Sequence, residues 1–278
     1  MEEDSVRDFL YPEDSEMDIL EQLAAHAVER VEEKKRIIPP VEMKRLAEEV
    51  KPGNRISFAE ALAKPEMSFI CECKKASPSK GLIDPEFPYL RIARDYETAG
   101  ADAISCLTEP KWFLGKDEYL REIAEAVRIP VLRKDFTVDP YMIYEAKVLG
   151  ASAILLICAI LSPEELKDDI QLAESLGLDV LTETHDEAEI EMAVNAGAAI
   201  LGVNNRNLRD FTVDIHNSIR LRALVPSHIR MVAESGIRTR NDILTLEQAG
   251  ISGVLIGEAL MNATDKRTML RKLKGEPL

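Results

Sequence analysis

Residues 131–157 have the sequence VLRKDFTVDPYMIYEAKVLGASAILLI, which contains a strand, a helix and a second strand. The runs Val131–Lys134 and Ala153–Ile157 are short and mostly aliphatic, which is typical of buried parallel strands. Between them, Asp139-Pro140 supplies a helix cap followed by proline at the first helical position. Gly150 follows the last helical residue, where a left-handed backbone favours glycine. The stretch therefore predicts one repeat of a parallel sheet with a helical crossover.

The same pattern recurs along the chain after Pro65, with Gly100, Gly197 and Gly250 in equivalent turns. We predict eight strands, at Phe69–Lys74, Ala103–Leu107, Val131–Lys134, Ala153–Ile157, Val180–Thr184, Ile200–Asn204, Arg230–Glu234 and Gly253–Ile256. Eight parallel strands close into a barrel, whereas an open doubly wound sheet usually has about five or six. The predicted fold is therefore an α/β fold, a (β/α)8 TIM barrel.

The N-terminal quarter has a different pattern. Apolar residues recur at helical spacing over Met17–Lys35, and shorter helical segments are predicted over Val41–Val50 and Ser57–Ala63. These helices are amphipathic, so they must pack an apolar face against something. The predicted organisation is a mobile acidic tail over 1–16, an N-terminal helical extension over 17–66 and a barrel over 67–278.

Composition excludes several classes of function. With 35 basic and 50 acidic side chains, the formal charge is −15, which disfavours binding of nucleic acid or anionic membranes by bulk electrostatics. The longest apolar run, Ala151–Leu161, is far shorter than the roughly 20 residues of a membrane span. The acidic N-terminus is unlike a signal peptide. We therefore predict a cytoplasmic protein whose partner is a small molecule.

The cysteines and histidines do not indicate a metal site. Each of the four cysteines, at 71, 73, 106 and 158, lies in or beside an apolar run, which is typical of buried thiols in a reducing compartment. The histidines form no cluster in the sequence, and neither HExxH nor EF-hand spacing occurs. His185 is expected to be a solvated loop residue. We expect no metal.

Polar residues cluster where five of the predicted strands end. The active site of such a barrel lies at the carboxyl ends of its strands. The residues there are Glu72, Lys74, Lys134, Glu183, Asn204, Arg206 and Glu234. By the alternation of strand side chains, Lys134, Glu183, Asn204 and Glu234 point into the barrel. One charged strand end is usually a salt bridge, but five together predict a catalytic cluster.

Glycines follow the last two predicted strands. The segments are Glu234-Ser235-Gly236-Ile237 and Ile256-Gly257-Glu258. Loops at these positions, with exposed backbone N–H groups, commonly hold a phosphate in these barrels. The alternative is that both glycines only cap helices. The rival nucleotide-binding patterns, GxGxxG and the Walker A sequence, are absent.

Several segments match one known family in order. They are CECKKASPSKG at 71–81, LTEPKWFLG at 107–115, LRKDF at 132–136, TETHD at 182–186, GVNNRNL at 202–208, VAESGI at 232–237 and LIGEALM at 255–261. From about residue 17 to 265, the chain resembles the indole-3-glycerol phosphate synthases. Trp112 stands where Tyr or Phe is common in that family. Glu258 stands where Ser is common, so a side-chain contact with the phosphate is not expected at this position, while the backbone amide is unaffected.

The resemblance implies a barrel with an extra N-terminal helix over the mouth. It also implies ring closure of 1-(2-carboxyphenylamino)-1-deoxyribulose 5-phosphate to indole-3-glycerol phosphate, with loss of carbon dioxide and water, in tryptophan biosynthesis. The substrate's own nitrogen can serve as the electron sink, so no cofactor is expected. Transient contact with other enzymes of the pathway is a further expectation.

The resemblance also assigns catalytic roles. Lys134 matches the acid that protonates the ketone oxygen, with Asp135 as its orienting partner. Lys74 and Glu183 would serve as acid and base in the dehydration, without a fixed order. Glu72 and Asn204 would orient these groups and bind the substrate.

The remaining assignments concern substrate binding. Arg206 would bind the anthranilate carboxylate, and the Gly236 and Gly257 amides, with Ser235 and Lys74, would bind the phosphate. The expected slot for the aromatic ring is lined by Phe113, Phe136, Leu155 and Leu181. Both leucines have an alternative role as barrel core. Ser77, Glu234 and Glu258 complete the expected binding set.

Two other classes of function remain open. One is another phosphate-binding barrel, such as a phosphoribosylanthranilate isomerase or a Schiff-base aldolase. Such an isomerase needs a Cys–Asp pair near the first and fifth strands, where this chain has Glu72 and Glu183. The other is a non-catalytic barrel scaffold, which is expected to lose its strand-end charges.

Overall fold

All eight predicted strands form one closed parallel barrel, in a computed structural model that describes residues 18–51, 56–207 and 210–277. The barrel strands are β1 (Ser68–Cys73), β4 (Ala103–Leu107), β5 (Val131–Lys134), β6 (Ala153–Ile157), β7 (Asp179–Thr184), β8 (Ile200–Asn204), β9 (Arg230–Glu234) and β10 (Gly253–Ile256). Six match the predicted bounds; β1 is displaced by one residue and β7 begins one residue earlier. A small antiparallel hairpin that the sequence did not reveal, β2 (Ala76–Ser77) and β3 (Gly81–Leu82), follows β1.

In the described parts of the chain, three helices precede the first strand, and the later helices follow the strands on the outside of the barrel. They are α1 (Ile19–Ile37), α2 (Pro40–Glu49), α3 (Phe58–Ala61), α4 (Tyr89–Thr98), α5 (Asp117–Ala126), α6 (Pro140–Val148), α7 (Pro163–Ser175), α8 (Glu187–Ala196), α9 (His216–Arg222), α10 (Arg240–Gln248), α11 (Glu258–Met261) and α12 (Lys266–Lys274). A short 3-10 turn, Cys158–Ile160, follows β6. Among the described helices, none is long and apolar enough to cross a membrane.

Alternation along the strands separates two apolar layers. Residues such as Ile70, Leu132 and Leu181 fill the barrel interior, and their neighbours pack under the helices. All four cysteines belong to the outer layer, where they are buried and free, and burial raises the pKa of each thiol. The prediction of buried thiols is confirmed.

The N-terminal extension closes both ends of the barrel. Ile19 and Leu23 of α1 line the cavity at the carboxyl ends of the strands. Phe58 and Leu62, in and after α3, join the apolar interior instead, and the Ala59 N–H donates to Asp179 at the amino end of β7. The helix over the mouth and the plug at the bottom are thus two different helices. The predicted tail over 1–16 lies outside the described residues.

Ion pairs attach α1 to the loops at the mouth. Arg30 binds the buried Asp135 through two hydrogen bonds of 2.7 and 3.2 Å. Further along the helix, Lys34 pairs with Asp117 and Glu145, and Lys35 pairs with Asp139. Because Asp135 directly follows β5, this attachment fixes α1 beside the end of a strand that carries a predicted catalytic lysine.

Candidate active site

A single cavity at the carboxyl ends of the strands brings together nearly all the predicted site residues. Those that line it are Glu72, Lys74, Ser77, Phe113, Lys134, Phe136, Leu155, Glu183, Asn204, Arg206, Glu234, Ser235, Gly236, Gly257 and Glu258. Leu181 is the exception among the described residues. It is fully buried in the barrel interior. Leu181 lies two residues before Glu183 on the same face of β7, deeper in the barrel, and it packs there as a core residue, which was the alternative role.

Lys134 lies at the centre of this cavity, between two carboxyl groups. Its Nζ is 3.0 Å from Glu183 Oε2 and 3.6 Å from Glu234 Oε2, and only 16% of its side chain is exposed. Burial favours a lower pKa for Lys134, but the Glu183, Glu234 and Glu72 carboxyl groups outweigh it and raise the pKa. The ammonium is therefore charged at neutral pH and available as a proton donor.

The two carboxyl groups beside Lys134 differ in charge. Burial disfavours ionisation of both, but Lys134, His185 and the Asn204 amide hold the pKa of Glu183 below its ordinary value. Burial raises the pKa of Glu234, despite Lys134, and the charges of Glu183 and Glu72 raise it further. These opposite shifts favour an ionised Glu183 and a neutral Glu234 at neutral pH.

Gly202 makes room for the Glu234 carboxyl group. A Cβ atom on Gly202 would lie 2.1 Å from Glu234 Oε1, which is far closer than van der Waals contact. That oxygen is buried and has no hydrogen-bond partner within the described parts of the chain. An unpaired buried oxygen is costly, and a ligand donor in the cavity would relieve that cost.

Lys74 and Glu72 form a second charged pair at the end of β1. Lys74 Nζ is 2.8 Å from Glu72 Oε1. A Cβ atom on Gly257 would lie 2.4 Å from the same oxygen and 3.0 Å from Lys74 Nζ. Glycine is therefore needed here for the pair itself, a reason that the sequence did not reveal.

The loops after β9 and β10 meet at one end of the cavity. Ser235 and Gly236 both have left-handed backbones, with φ of 66° and 83°, and this conformation is unfavourable for serine. Glu258 lies nearby, with cations of Lys80, Arg206 and Arg238 around its carboxylate. Lys80 and Arg238 line the cavity but were missed, although both lie in or directly beside the quoted motifs.

The aromatic residues are held at the opposite side by a buried carboxylate. Phe113 and Phe136 face each other with ring centroids 6.2 Å apart, in one apolar cluster with Ile19 and Leu23 of α1. Glu109, also missed from the sequence, accepts the backbone N–H groups of residues 111, 112 and 113 and so folds this loop. The helix α1 thus completes an apolar slot.

Two expectations are corrected. Asp135 does not bind Lys134; its carboxylate is held by Arg30 and the Thr108 hydroxyl, because the residue after an inward-pointing side chain faces outward. His185 is not a solvated residue, since its Nε2 lies 3.5 Å from Glu183 Oε1 and its Nδ1 3.1 Å from Glu189. Burial lowers the pKa of His185, but these carboxylates outweigh it and raise the pKa.

The fold and the cavity define this chain as a (β/α)8-barrel enzyme with paired ammonium and carboxylate groups at its mouth. The family model of indole-3-glycerol phosphate synthase matches residues 20–273. The chain belongs to the indole-3-glycerol phosphate synthase family. It is 54% identical over 257 residues to the indole-3-glycerol phosphate synthase of Ruminiclostridium cellulolyticum, covering 92% of this chain and 99% of the relative. That of Leuconostoc mesenteroides is 52% identical over 237 residues, covering 84% and 90%.

Solved structures of more distant proteins share the barrel. The 3-hexulose-6-phosphate synthase from Salmonella typhimurium aligns with a TM-score of 0.62 at 16% identity, over 75% of this chain and 97% of that one. The thiamine phosphate pyrophosphorylase from Pyrococcus furiosus aligns with a TM-score of 0.57 at 17% identity, over 76% and 95%. At such identities the likeness concerns the fold alone.

Proposed function

We propose that this chain converts 1-(2-carboxyphenylamino)-1-deoxyribulose 5-phosphate to indole-3-glycerol phosphate, with release of carbon dioxide and water. Family membership supports this reaction. The observation that carries it is the buried Lys134 ammonium, which lies between an ionised and a neutral carboxyl group in a cavity with one apolar and one cationic side. That arrangement suits a substrate that has an aromatic ring at one end and a phosphate at the other.

In the first step, the ring carbon that bears the carboxylate attacks the ketone carbon. Negative charge develops on the ketone oxygen, so an acid beside that oxygen lowers the barrier. We assign this role to Lys134. Glu183, at 3.0 Å, keeps the lysine charged before the reaction and stabilises its position.

In the second step, the carboxylate leaves as carbon dioxide and its bonding electrons restore the aromatic ring. The nitrogen of the substrate accepts the electrons in the intermediate, so the proposed chemistry proceeds without an added electron sink. Phe113, Phe136 and the α1 residues Ile19 and Leu23 form the apolar slot around the ring. Excluding water there strengthens the electrostatic interactions of the charged intermediate.

In the third step, the new hydroxyl leaves as water and a proton is lost from the adjacent carbon. We propose that Lys74, held by Glu72, donates a proton to the leaving hydroxyl and that Glu183 removes the proton from carbon. The lowered pKa of Glu183 keeps this carboxyl group ionised at neutral pH, which is the form that can accept a proton. Asn204, which donates to Glu183 at 3.1 Å, orients that carboxylate.

Substrate binding follows the two sides of the cavity. We propose that Ser77, Ser235 and the amides of Gly236 and Gly257 bind the phosphate, with Lys74 beside them, and that Leu155 and the two phenylalanines contact the ring. Arg206 would bind the anthranilate carboxylate once it leaves Glu258. The predicted cytoplasmic location and transient contacts with neighbouring enzymes of tryptophan biosynthesis remain proposals that rest on the same assignment.

The test is incubation of the purified chain with the synthetic deoxyribulose phosphate. The proposal expects indole fluorescence and carbon dioxide to appear in equal amounts. Borohydride added during turnover should leave the protein mass unchanged, because no Schiff base forms. A borohydride-trapped lysine adduct would favour the aldolase class, and the absence of any indole product would refute the proposed reaction.

A further inference from the structure

Three cations from three different loops surround one carboxylate at the end of the cavity. Lys80 Nζ, in the turn of the β2–β3 hairpin, lies 3.7 Å from Glu258 Oε1. Arg238, after β9, lies 3.5 Å from the same oxygen, and Arg206, after β8, lies 3.6 Å from Oε2. All four side chains line the cavity.

The contacts of Glu258 are loose. Charge-assisted hydrogen bonds between such groups are typically about 2.7–2.9 Å long, and each of these ion pairs is longer. The Lys80 and Arg238 side chains are 50% and 63% exposed, so water screens their attraction to Glu258. These two cations can therefore exchange partners at little cost.

The cluster also carries surplus positive charge. Three cations face one carboxylate, which leaves about two charges uncompensated in a chain whose net charge is −15. Burial lowers the pKa of Arg206, and the nearby Arg238 lowers it further, against the effect of Glu258. Because the proposed function assigns Arg206 to the anthranilate carboxylate, Lys80 and Arg238 remain for the phosphate. Their two positive charges match the about −1.5 to −2 charges of a phosphate monoester at neutral pH.

We propose that Glu258 is a displaceable counter-ion, and that Lys80 and Arg238 leave it to bind the substrate's phosphate. Arg238 lies two residues after Gly236, and Glu258 follows Gly257, so the cations surround the place where the phosphate amides are expected. This inference rests on the proposed function, and it adds two phosphate-binding side chains and one competing carboxylate to that site.

The exchange has a consequence for turnover. Substrate and product carry the same phosphate, so a competing carboxylate weakens the binding of both alike. Such uniform effects change KM rather than the barrier of the chemical step. Glu258 should therefore raise both KM and the inhibition constant of the product, and so favour release of the product.

The experiment is titration calorimetry of the whole chain with inorganic phosphate at low ionic strength. Lys80→Gln and Arg238→Gln should each weaken binding by about two- to fivefold, the range expected of an exposed ion pair. Glu258→Gln should tighten binding by a similar factor, and the product should inhibit that variant more strongly. Lys44→Gln and Arg220→Gln remove the same charge at exposed ion pairs outside the cavity lining, and should leave the dissociation constant unchanged.

The outcomes separate this inference from the proposed function. Weaker phosphate binding by Glu258→Gln would overturn the counter-ion role, because it would show that the carboxylate organises the cations for the phosphate. Equal binding by Lys80→Gln, Arg238→Gln and their controls would overturn the role of both cations, while the phosphate site of the proposed function would stand. Failure of the unmodified chain to bind phosphate or product at all would count against the proposed site itself.

Discussion

The attachment of α1 to the barrel can be tested by replacing Arg30 with methionine. Methionine keeps the length and apolar contacts of the side chain but removes the guanidinium that holds Asp135 at 2.7 and 3.2 Å. Asp135 is 2% exposed and directly follows Lys134. The change therefore leaves a buried carboxylate without its main partner, next to the proposed acid.

The size of the effect follows from the pKa of Asp135. Burial favours a raised pKa, but Arg30, Arg133 and the Thr108 hydroxyl outweigh it and lower the pKa from 3.8 to about 2. At about 1.4 kcal/mol per pKa unit, this shift corresponds to roughly 2.4 kcal/mol of stability at pH 7. Removing one partner of a buried pair costs about 3–5 kcal/mol in other proteins. We expect Arg30→Met to lower the free energy of unfolding by about 2–4 kcal/mol.

The effect should depend on pH with a defined sign. A carboxyl group with a lowered pKa contributes stability above its unfolded pKa and loses it as the pH falls through the folded value. The difference between Arg30→Met and the unmodified chain should therefore be full at pH 7 and shrink progressively from about pH 5 down through the folded pKa of about 2. Activity at pH 7 should also fall, because Asp135 fixes the segment that carries Lys134 and Phe136.

The assay is urea denaturation at a series of pH values, with kcat and KM measured at pH 7. Arg45→Met is the matched control, since Arg45 forms ion pairs with Glu42 and Glu49 on the surface of α2, and it should leave both stability and kinetics close to those of the unmodified chain. A loss below about 1 kcal/mol at pH 7, or one that persists undiminished at pH 3, would refute the reasoning.

Three further predictions concern the mouth of the barrel. Glu234→Gln fixes the neutral form of this side chain, whose pKa is raised to about 8. In the unmodified chain, kcat/KM should decline as the pH rises through that value, because a second carboxylate makes Lys134 a weaker acid. A pH–rate profile of the variant should lack this decline. If its profile instead falls at the same pH, another group is responsible. Gly202→Ala would place a methyl group 2.1 Å from the Glu234 carboxyl oxygen and so displace that carboxyl group. We expect kcat to fall at least about tenfold, while thermal unfolding shows a folded protein. An unchanged kcat would mean that the position of the Glu234 carboxyl group does not matter for catalysis. Deleting residues 1–36 removes the α1 side of the aromatic slot, so KM should rise several-fold and the Tm should fall, whereas a lower Tm with the same KM would make α1 purely structural.

The fold and the contents of the cavity were predictable because both follow from local rules. Strand alternation places Lys134, Glu183, Asn204 and Glu234 on the inward face, and their positions at strand ends place them at the mouth. Both statements need only the sequence position of a residue within its strand. The same rule explains why Cys71, Cys73 and Cys106 face the helices.

The partners of these groups were less predictable, because a partner is set by distant parts of the chain. Asp135 is 105 residues from Arg30, and no local pattern connects them. Lys80 and Arg238 meet Glu258 only because three loops converge at the mouth. Leu181 shares its face with Glu183, but its depth in the barrel, rather than its face, separates it from the cavity.

The most direct test of the central claim follows the fate of the substrate's carboxylate in a single turnover. The substrate is labelled with carbon-13 in that group and mixed with excess unmodified chain, Lys134→Ala, or Lys44→Ala as a surface control. If Lys134 is the acid that drives ring closure, labelled carbon dioxide and indole product should appear together, and both should slow at least about 100-fold in Lys134→Ala with the fold intact. A folded Lys134→Ala variant that keeps more than about a tenth of the rate would contradict the assignment.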